Sequence, residues 1–251
     1  MLVTAFWSVN PFTNNLQHQL TLANFRQVLT ATYLHIIWRT VVLAAFVTIT
    51  DAVIALPFAF YMARVATNRV RGLLFMAVLL PLWASYLARI YAWIVILTKG
   101  GTLDWAFKHL GLGQPNIGYT NTAMWLVFAY IWLPFMIIPV YTALERIPDS
   151  LLEAAGDLGA HDLRAMRDVV LPLALPGIVA GSIFTFSLTL GDFITPLLIG
   201  GTNSNLIGNV IYDNIGTANN LPFAAALAIV PIIIMTAYLL GARALGAFEA
   251  M

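Results

Sequence analysis

The chain has 251 residues, of which 61% are hydrophobic and 9% charged, and its net charge is +1. A soluble domain carries about a quarter charged residues, so this composition excludes a water-surrounded fold. With no basic tail or stripe it also excludes nucleic acid as a partner, and the lack of cysteine excludes disulfides and thiolate metal sites.

Residues 1–35 precede the first long apolar run. Met1 to Val9 is too short to span a bilayer, and no basic region precedes it, so it is not expected to act as a signal peptide. Pro11, Asn14, Asn15, Gln17, His18 and Gln19 make 1–34 a polar segment, expected to be exposed and extracytoplasmic. The remainder, 36–251, is expected to be a single transmembrane domain. Five stretches reach the ~20 apolar residues a membrane helix needs, at about 36–62, 72–97, 121–144, 173–199 and 221–245. Backbone groups in lipid must pair within the segment, which predicts helices and an all-α membrane protein. Prolines at 57, 81, 134, 139, 176 and 196 lie inside these spans. They are compatible with ordinary bundle geometry and with hinges.

Positive charge sets the orientation. Arg64, Arg69, Arg71, Arg146, Arg164, Arg167 and Arg243 lie on one side of the predicted spans. Arg26, Arg39, Lys99 and Lys108 lie on the other, and Arg89 falls within a span. The first set marks the cytoplasm, so the C-terminus is expected inside. The Gly- and Asn-rich loops at 98–120 and 200–220 then face outward.

The loop at about 145–172 is not slack. Pro148 and Asp149 mark a helix start, and Ser150 with Glu153 has the capping-box spacing. Leu151, Leu152, Ala155 and Leu158 then share one helical face, and Gly159 permits the turn that ends such a helix. A second short helix is predicted from Asp162 to Val170, stopping before Leu171-Pro172. The pattern Glu153-Ala154-Ala155, three residues, Gly159, nine residues, Val169-Val170-Leu171-Pro172 resembles the EAA motif of ABC importer permeases. That family prefers isoleucine where this chain has Val169. Ser85 to Trp93, Asn116-Ile117-Gly118-Tyr119, Ile147-Pro148 and Leu206 to Val210 are similar to the spermidine/putrescine branch. Relatives importing ferric ion, thiamine, opines or phosphonates share several of these stretches.

The resemblance implies the transmembrane domain of a type I ABC importer in a bacterial inner membrane. It implies that the loop docks on a separate ATPase subunit, with Glu153 anchoring the helix, Ala154 and Ala155 keeping the contact face small and Gly159 making the turn. Leu171 and Pro172 close the motif. The implied partners are ATPase subunits, a second and related permease subunit, an extracytoplasmic substrate-binding protein, membrane lipid and a small-molecule substrate. ATP and Mg would be bound by the ATPase, leaving this chain without a cofactor. Family members usually carry one more helix at the N-terminus, so a missing or truncated helix is expected before residue 36.

No G-x-x-x-x-G-K-[ST] phosphate loop is present, no G-x-S-x-G, and no His, Asp and Glu cluster at metal-ligand spacing. The chain is therefore expected to be neither an ATPase nor any other enzyme. Charges inside spans are costly and tend to face a bundle interior or a water cavity. Asp51, Arg89 and Asp192 are the three here. A polyamine path wants carboxylates and aromatic faces, because rings attract cations. Asp192 with Phe193 and Phe186 fits that demand, and Asp51 is a further candidate. Both aspartates are equally compatible with a packing role. Arg89 lining a path would favour an anionic solute, and Arg89 paired with a carboxylate or reaching headgroups would not. The substrate readings are a polyamine or another small solute such as thiamine, ferric ion, an opine, a phosphonate or sulfate. An ion-coupled secondary transporter would show inverted repeats and paired carboxylates, and a membrane scaffold would lack the docking loop.

Overall fold

Apolar runs of this length become helices because hydrocarbon offers no partner to a bare N–H or C=O. The computed structural model describes residues 2–10, 15–158, 160–202 and 204–244, apart from the side chains of Asp162, Leu163 and Ala244. The helices among these residues are α1 Ala23–Val28, α2 Ala31–Phe60, α3 Asn68–Trp83, α4 Tyr86–Leu97, α5 Thr102–His109, α6 Asn121–Glu145, α7 Asp149–Asp157, α8 Asp162–Ala165, α9 Leu171–Gly191, α10 Ile194–Ile199, α11 Ile207–Gly216 and α12 Leu221–Ala244. A two-stranded antiparallel ribbon, β1 Ser8–Val9 and β2 Leu16–Gln17, pairs Ser8 with Gln17 and Val9 with Leu16.

Four helical runs are long and apolar enough to cross a bilayer: Ala31–Val65, Asn121–Glu145, Met166–Gly191 and Leu221–Arg243. The pair Asn68–Trp83 and Tyr86–His109, bent by 96°, makes a fifth if counted as one span. Two predicted spans are therefore broken. The stretch at 72–97 stops at Trp83, where Ala84 turns extended and its N–H reaches Pro81 O. The stretch at 173–199 stops at Gly191, because the Asp192 carboxylate takes the N–H groups of Ile194 and Thr195 and starts a new helix there.

A third correction concerns the predicted stop before Leu171-Pro172. The helix runs on through it, because Met166–Val170 is a π turn joining α8 to α9. A π turn shifts the bonding from i−4 to i−5, so the missing N–H of Pro172 falls where the ladder is already out of register. A second π turn, Tyr61–Val65, ends α2.

Contacts divide the chain into two compact units. The first comprises Met1–Ala45, Ile90–Phe128 and Ser187–Tyr238. Its core joins Ala5 and Val28 to Phe223, Ala225, Ala226 and Leu227 on α12. Asn24 is buried, and its amide donates to Ala5 O (2.9 Å) and Trp7 O (2.8 Å). The segment expected to be polar and exposed is thus partly folded, since a few apolar residues among the polar ones are enough to seat it.

The second unit comprises Phe46–Arg89, Ala129–Phe186 and Leu239–Met251. Its core is built from Ala55, Ala59 and Met62 of the first span, Met136, Val140 and Leu144 of α6, and Ala174 of α9. α9 approaches α6 through Gly177 and Gly181, spaced G-x-x-x-G. A Cβ at Gly177 would lie 2.6 Å from both Ala143 Cβ and Pro139 O, and one at Gly181 2.6 Å from Met136 Sδ. Between apolar helices without a hydrophobic driving force, such close backbone contact supplies the attraction.

Candidate coupling loop and translocation residues

Pro148 sits in extended conformation (φ −64°, ψ 141°) and hands the chain to α7 without a side-chain cap. Ser150 is inside the helix rather than ahead of it, so the expected capping box does not form. Asp149 occupies the first turn instead, where a negative charge meets the positive end of the helix dipole. The helix closes at Leu158, whose N–H bonds Ala154 O, and Ala160 N reaches back to Ala155 O at 2.9 Å. Gly159, the expected turn residue, lies outside the described residues.

The predicted apolar face of α7 splits. Ala155 is buried, while Leu151 is half exposed and Leu158 points to solvent at 88% exposure. Leu158 leaves the face because the helix has ended there. Glu153 and Ala154 are exposed on the surface of α7, and Leu171 and Pro172 are exposed at the start of α9. Two cavities touch α7. One of about 420 Å³ is lined by Arg146, Pro148, Leu151, Pro172 and Pro176. The other, about 290 Å³, is lined by Phe60, Leu152, Gly156, Met166 and Val170.

Two arginines read in the sequence only as orientation signals hold this region together. Arg64, in the π turn after α2, donates to Leu144 O (2.7 Å) and Ile147 O, and pairs with Asp149 Oδ1 at 2.5 Å. Its side chain is 13% exposed, against 81% for Asp149. An exposed ion pair contributes about 0–1 kcal/mol, whereas hydrogen bonds to a charged group contribute about 1.5–3 kcal/mol. The two carbonyl contacts therefore outweigh the ion pair. Arg71, on α3, donates from Nε to Met62 O (3.0 Å) and from Nη2 to Ala63 O (3.1 Å). Its Nη1 lies 4.0 Å from Glu145 Oε1, which also accepts from Tyr141 Oη at 2.9 Å. No sequence signal separates Arg64 and Arg71 from the nearby exposed Arg69.

The five candidate path residues are divided between the two units. Asp192 and Phe193 belong to the first unit, and Asp51, Arg89 and Phe186 to the second. Asp192 caps α10, with Oδ1 accepting from Ile194 N (2.7 Å) and Oδ2 from Thr195 Oγ1 (2.8 Å). Phe193 stacks on Tyr212 at 4.6 Å, and its carbonyl takes the Asn209 amide at 2.9 Å. Gly208 is needed here, since a Cβ would lie 2.6 Å from Asp192 O. The Leu206-Ile207-Gly208-Asn209 stretch thus seals the break at Asp192. Phe186 is buried.

Asp51 is fully buried in α2, with neither carboxylate oxygen bonded. Arg89 pairs with no carboxylate among the described residues: its Nε and Nη1 are buried without partners. Its guanidinium carbon lies 5.8 Å from the Tyr86 ring centroid. Tyr86 begins an aromatic row that the sequence reading missed. It stacks on Trp132 at 5.9 Å, Trp132 meets Phe135 edge-on at 6.0 Å, and Phe135 meets Phe184 at 6.4 Å. Among the described residues, no group of three or more His, Cys, Asp or Glu is placed to hold a metal ion.

Residues 53–247 match the family described as binding-protein-dependent transport system inner membrane component. The chain belongs to that family: it is a multi-pass inner membrane permease subunit of an ABC importer. It is 46% identical over 264 aligned residues to the inner membrane ABC transporter permease protein YdcU of Escherichia coli (strain K12), covering 100% of this chain and 84% of that one. It is 35% identical over 222 residues to the spermidine/putrescine transport system permease protein PotB of the same organism, covering 88% of this chain and 80% of that one. In fold it is similar to a chain of a bacterial ABC transporter involved in the import of the acidic polysaccharide alginate. The TM-score is 0.78 at 17% identity, over 97% of this chain and 86% of that chain. The fold is that of a type I ABC importer transmembrane domain.

Proposed function

We propose that this permease carries a polyamine. The observation that carries the reading is the 35% identity, over most of both chains, to permeases named for spermidine/putrescine transport. The aromatic row and the buried Asp51 support it. Ring faces attract ammonium groups and also accept methylene chains, and a carboxylate supplies the opposite charge. Arg89 against Tyr86 would then occupy a ring face that substrate ammonium groups compete for.

The rest of the machine follows from the family. Residues 36–251 act as one permease domain, with 1–35 leading into it from the outer side and the C-terminus in the cytoplasm. A related second permease completes the path, a binding protein delivers the solute, and ATP with Mg is used on the ATPase subunits, so this chain does no chemistry itself. α7 docks on the ATPase through its exposed face, where Glu153 anchors and Ala154 leaves room. Ala155 supports that helix from within, Gly159 turns the chain out of it, and Leu171 and Pro172 start the return into the membrane. Closure of the ATPases then rocks the path between outward and inward access.

The test is ATP hydrolysis by the reconstituted complex with its binding protein, offered spermidine, putrescine, thiamine, sulfate and a phosphonate. The expected result is stimulation by polyamines alone. Stimulation by another solute overturns the substrate and leaves the importer. Ala154→Trp is expected to cut stimulated hydrolysis at least tenfold, a loss of about 1.4 kcal/mol of docking, while Asn68→Trp, exposed but off α7, leaves it unchanged. Equal activity in both variants removes α7 from the ATPase interface.

A further inference from the structure

We propose that Arg64 is the positioning residue of the docking helix, and that through it the pose of α7 is tied to the end of the first span. The inference rests on the docking role proposed above for α7. A single guanidinium reaches the last turn of α6 (Leu144 O), the linker (Ile147 O) and the first residue of α7 (Asp149). Besides the fork, the linker from Glu145 to Asp149 is held by buried Ile147, whose N–H bonds Leu144 O at 3.3 Å, but the N-terminus of α7 has no side-chain cap and, among the described residues, the fork alone reaches the Asp149 side chain. Removing the fork frees the hinge on which α7 turns, without touching the exposed face of α7.

The backbone that carries Arg64 is itself held. It lies in the Tyr61–Val65 π turn, and Arg71 on α3 takes the Met62 and Ala63 carbonyls of that region. The same Arg71 approaches Glu145, the last residue of α6. Displacement of α7 therefore pulls on α2 through Arg64, and α2 is anchored to α3 through Arg71. Planar guanidinium suits this role because its five donors form a rigid fork, which a lysine ammonium cannot reproduce. The side chain is nearly out of solvent, so salt screens these contacts less than it screens an ion pair on the surface.

The experiment uses the full importer in nanodiscs, with Arg64→Gln, Arg64→Lys and Asp149→Ala in the permease. The 251 residues contain no cysteine, so with the cysteines of the other subunits replaced, spin labels at Arg69→Cys and Asp157→Cys report the pose of α7 against the start of α3. Wild type is expected to give one narrow distance, and Arg64→Gln a distribution about twice as wide. Solute imported per ATP hydrolysed is expected to fall about tenfold in Arg64→Gln, within the range of ordinary coupling factors, while basal hydrolysis persists. Arg64→Lys should lie between, and Asp149→Ala, which removes only the exposed pair, should lose least.

An unchanged distance distribution and import ratio in Arg64→Gln overturn the proposal. So does Asp149→Ala matching Arg64→Gln, which would reduce the fork to one ion pair. If Arg64→Gln is not recovered from the membrane, Arg64→Lys decides by the same distance. A wild-type complex that hydrolyses ATP but imports nothing refutes the importer reading, and the label distances still decide the clamp.

Discussion

Asp51 and Asp192 look alike in the sequence: each is a lone acid inside an apolar run. Their surroundings differ. Asp192 has three bonds into the start of α10, so it is a cap that breaks a span. Asp51 has none, and an unpartnered buried polar group costs about 1–3 kcal/mol. A residue kept at such a cost is a candidate for function. Asp51→Leu is therefore expected to stabilise the purified protein by about 1–3 kcal/mol in chemical denaturation, and to abolish solute uptake in proteoliposomes. A fall in stability would show that the carboxyl is bonded after all. The cap was not legible, because the sequence predicts one unbroken apolar span over 173–199 with Asp192 inside it. Nor was the clamp, because charge in a loop after a span satisfies the orientation rule whether or not it also binds carbonyls. Trp132, Phe135 and Phe184 likewise had no local pattern to set them apart from packing aromatics.

Between elements, α9 and α6 meet over Gly177 and Gly181, where a side chain has no room. Gly177→Leu is expected to destabilise by at least the roughly 1–3 kcal/mol typical of overpacking, since the atoms in its way are Pro139 backbone and an alanine methyl. Gly72, within α3, meets nothing within 4 Å. Gly72→Ala should therefore stabilise by about 0.4–1 kcal/mol, through the unfolded chain. Thermal unfolding of both variants beside wild type checks the opposite signs. Span positions were readable because hydropathy alone dictates them. Their interruptions were not. Pro81 and Asp192 lie at the two breaks without stopping the predicted spans, and nothing in Tyr61–Val65 or Met166–Val170 announces a π turn, which is a shift in hydrogen-bond register rather than a composition.

At the scale of the whole molecule, the arginine count is a claim about sidedness. A cysteine at Asp157 should react with an impermeant maleimide only in inside-out vesicles, and one at Leu112, which is 67% exposed, only in right-side-out ones. The reverse pattern would invert the topology. The family and its apolar spans, four or five by length and composition, could be read from one chain because a bilayer and the Glu153 to Pro172 motif each leave a pattern. The folding of the leading segment could not, because its partner is far away in sequence. Ala5 and Val28 pack against Phe223 to Leu227, about two hundred residues later, which a ribosome adding some 5–20 residues per second reaches only after roughly 10–40 s. During that interval the Asn24 side chain and the apolar residues around it have no α12 to rest on. A nascent chain halted before the last span therefore leaves Ala5 and Val28 uncovered, where a quality-control protease can recognise an unfinished product.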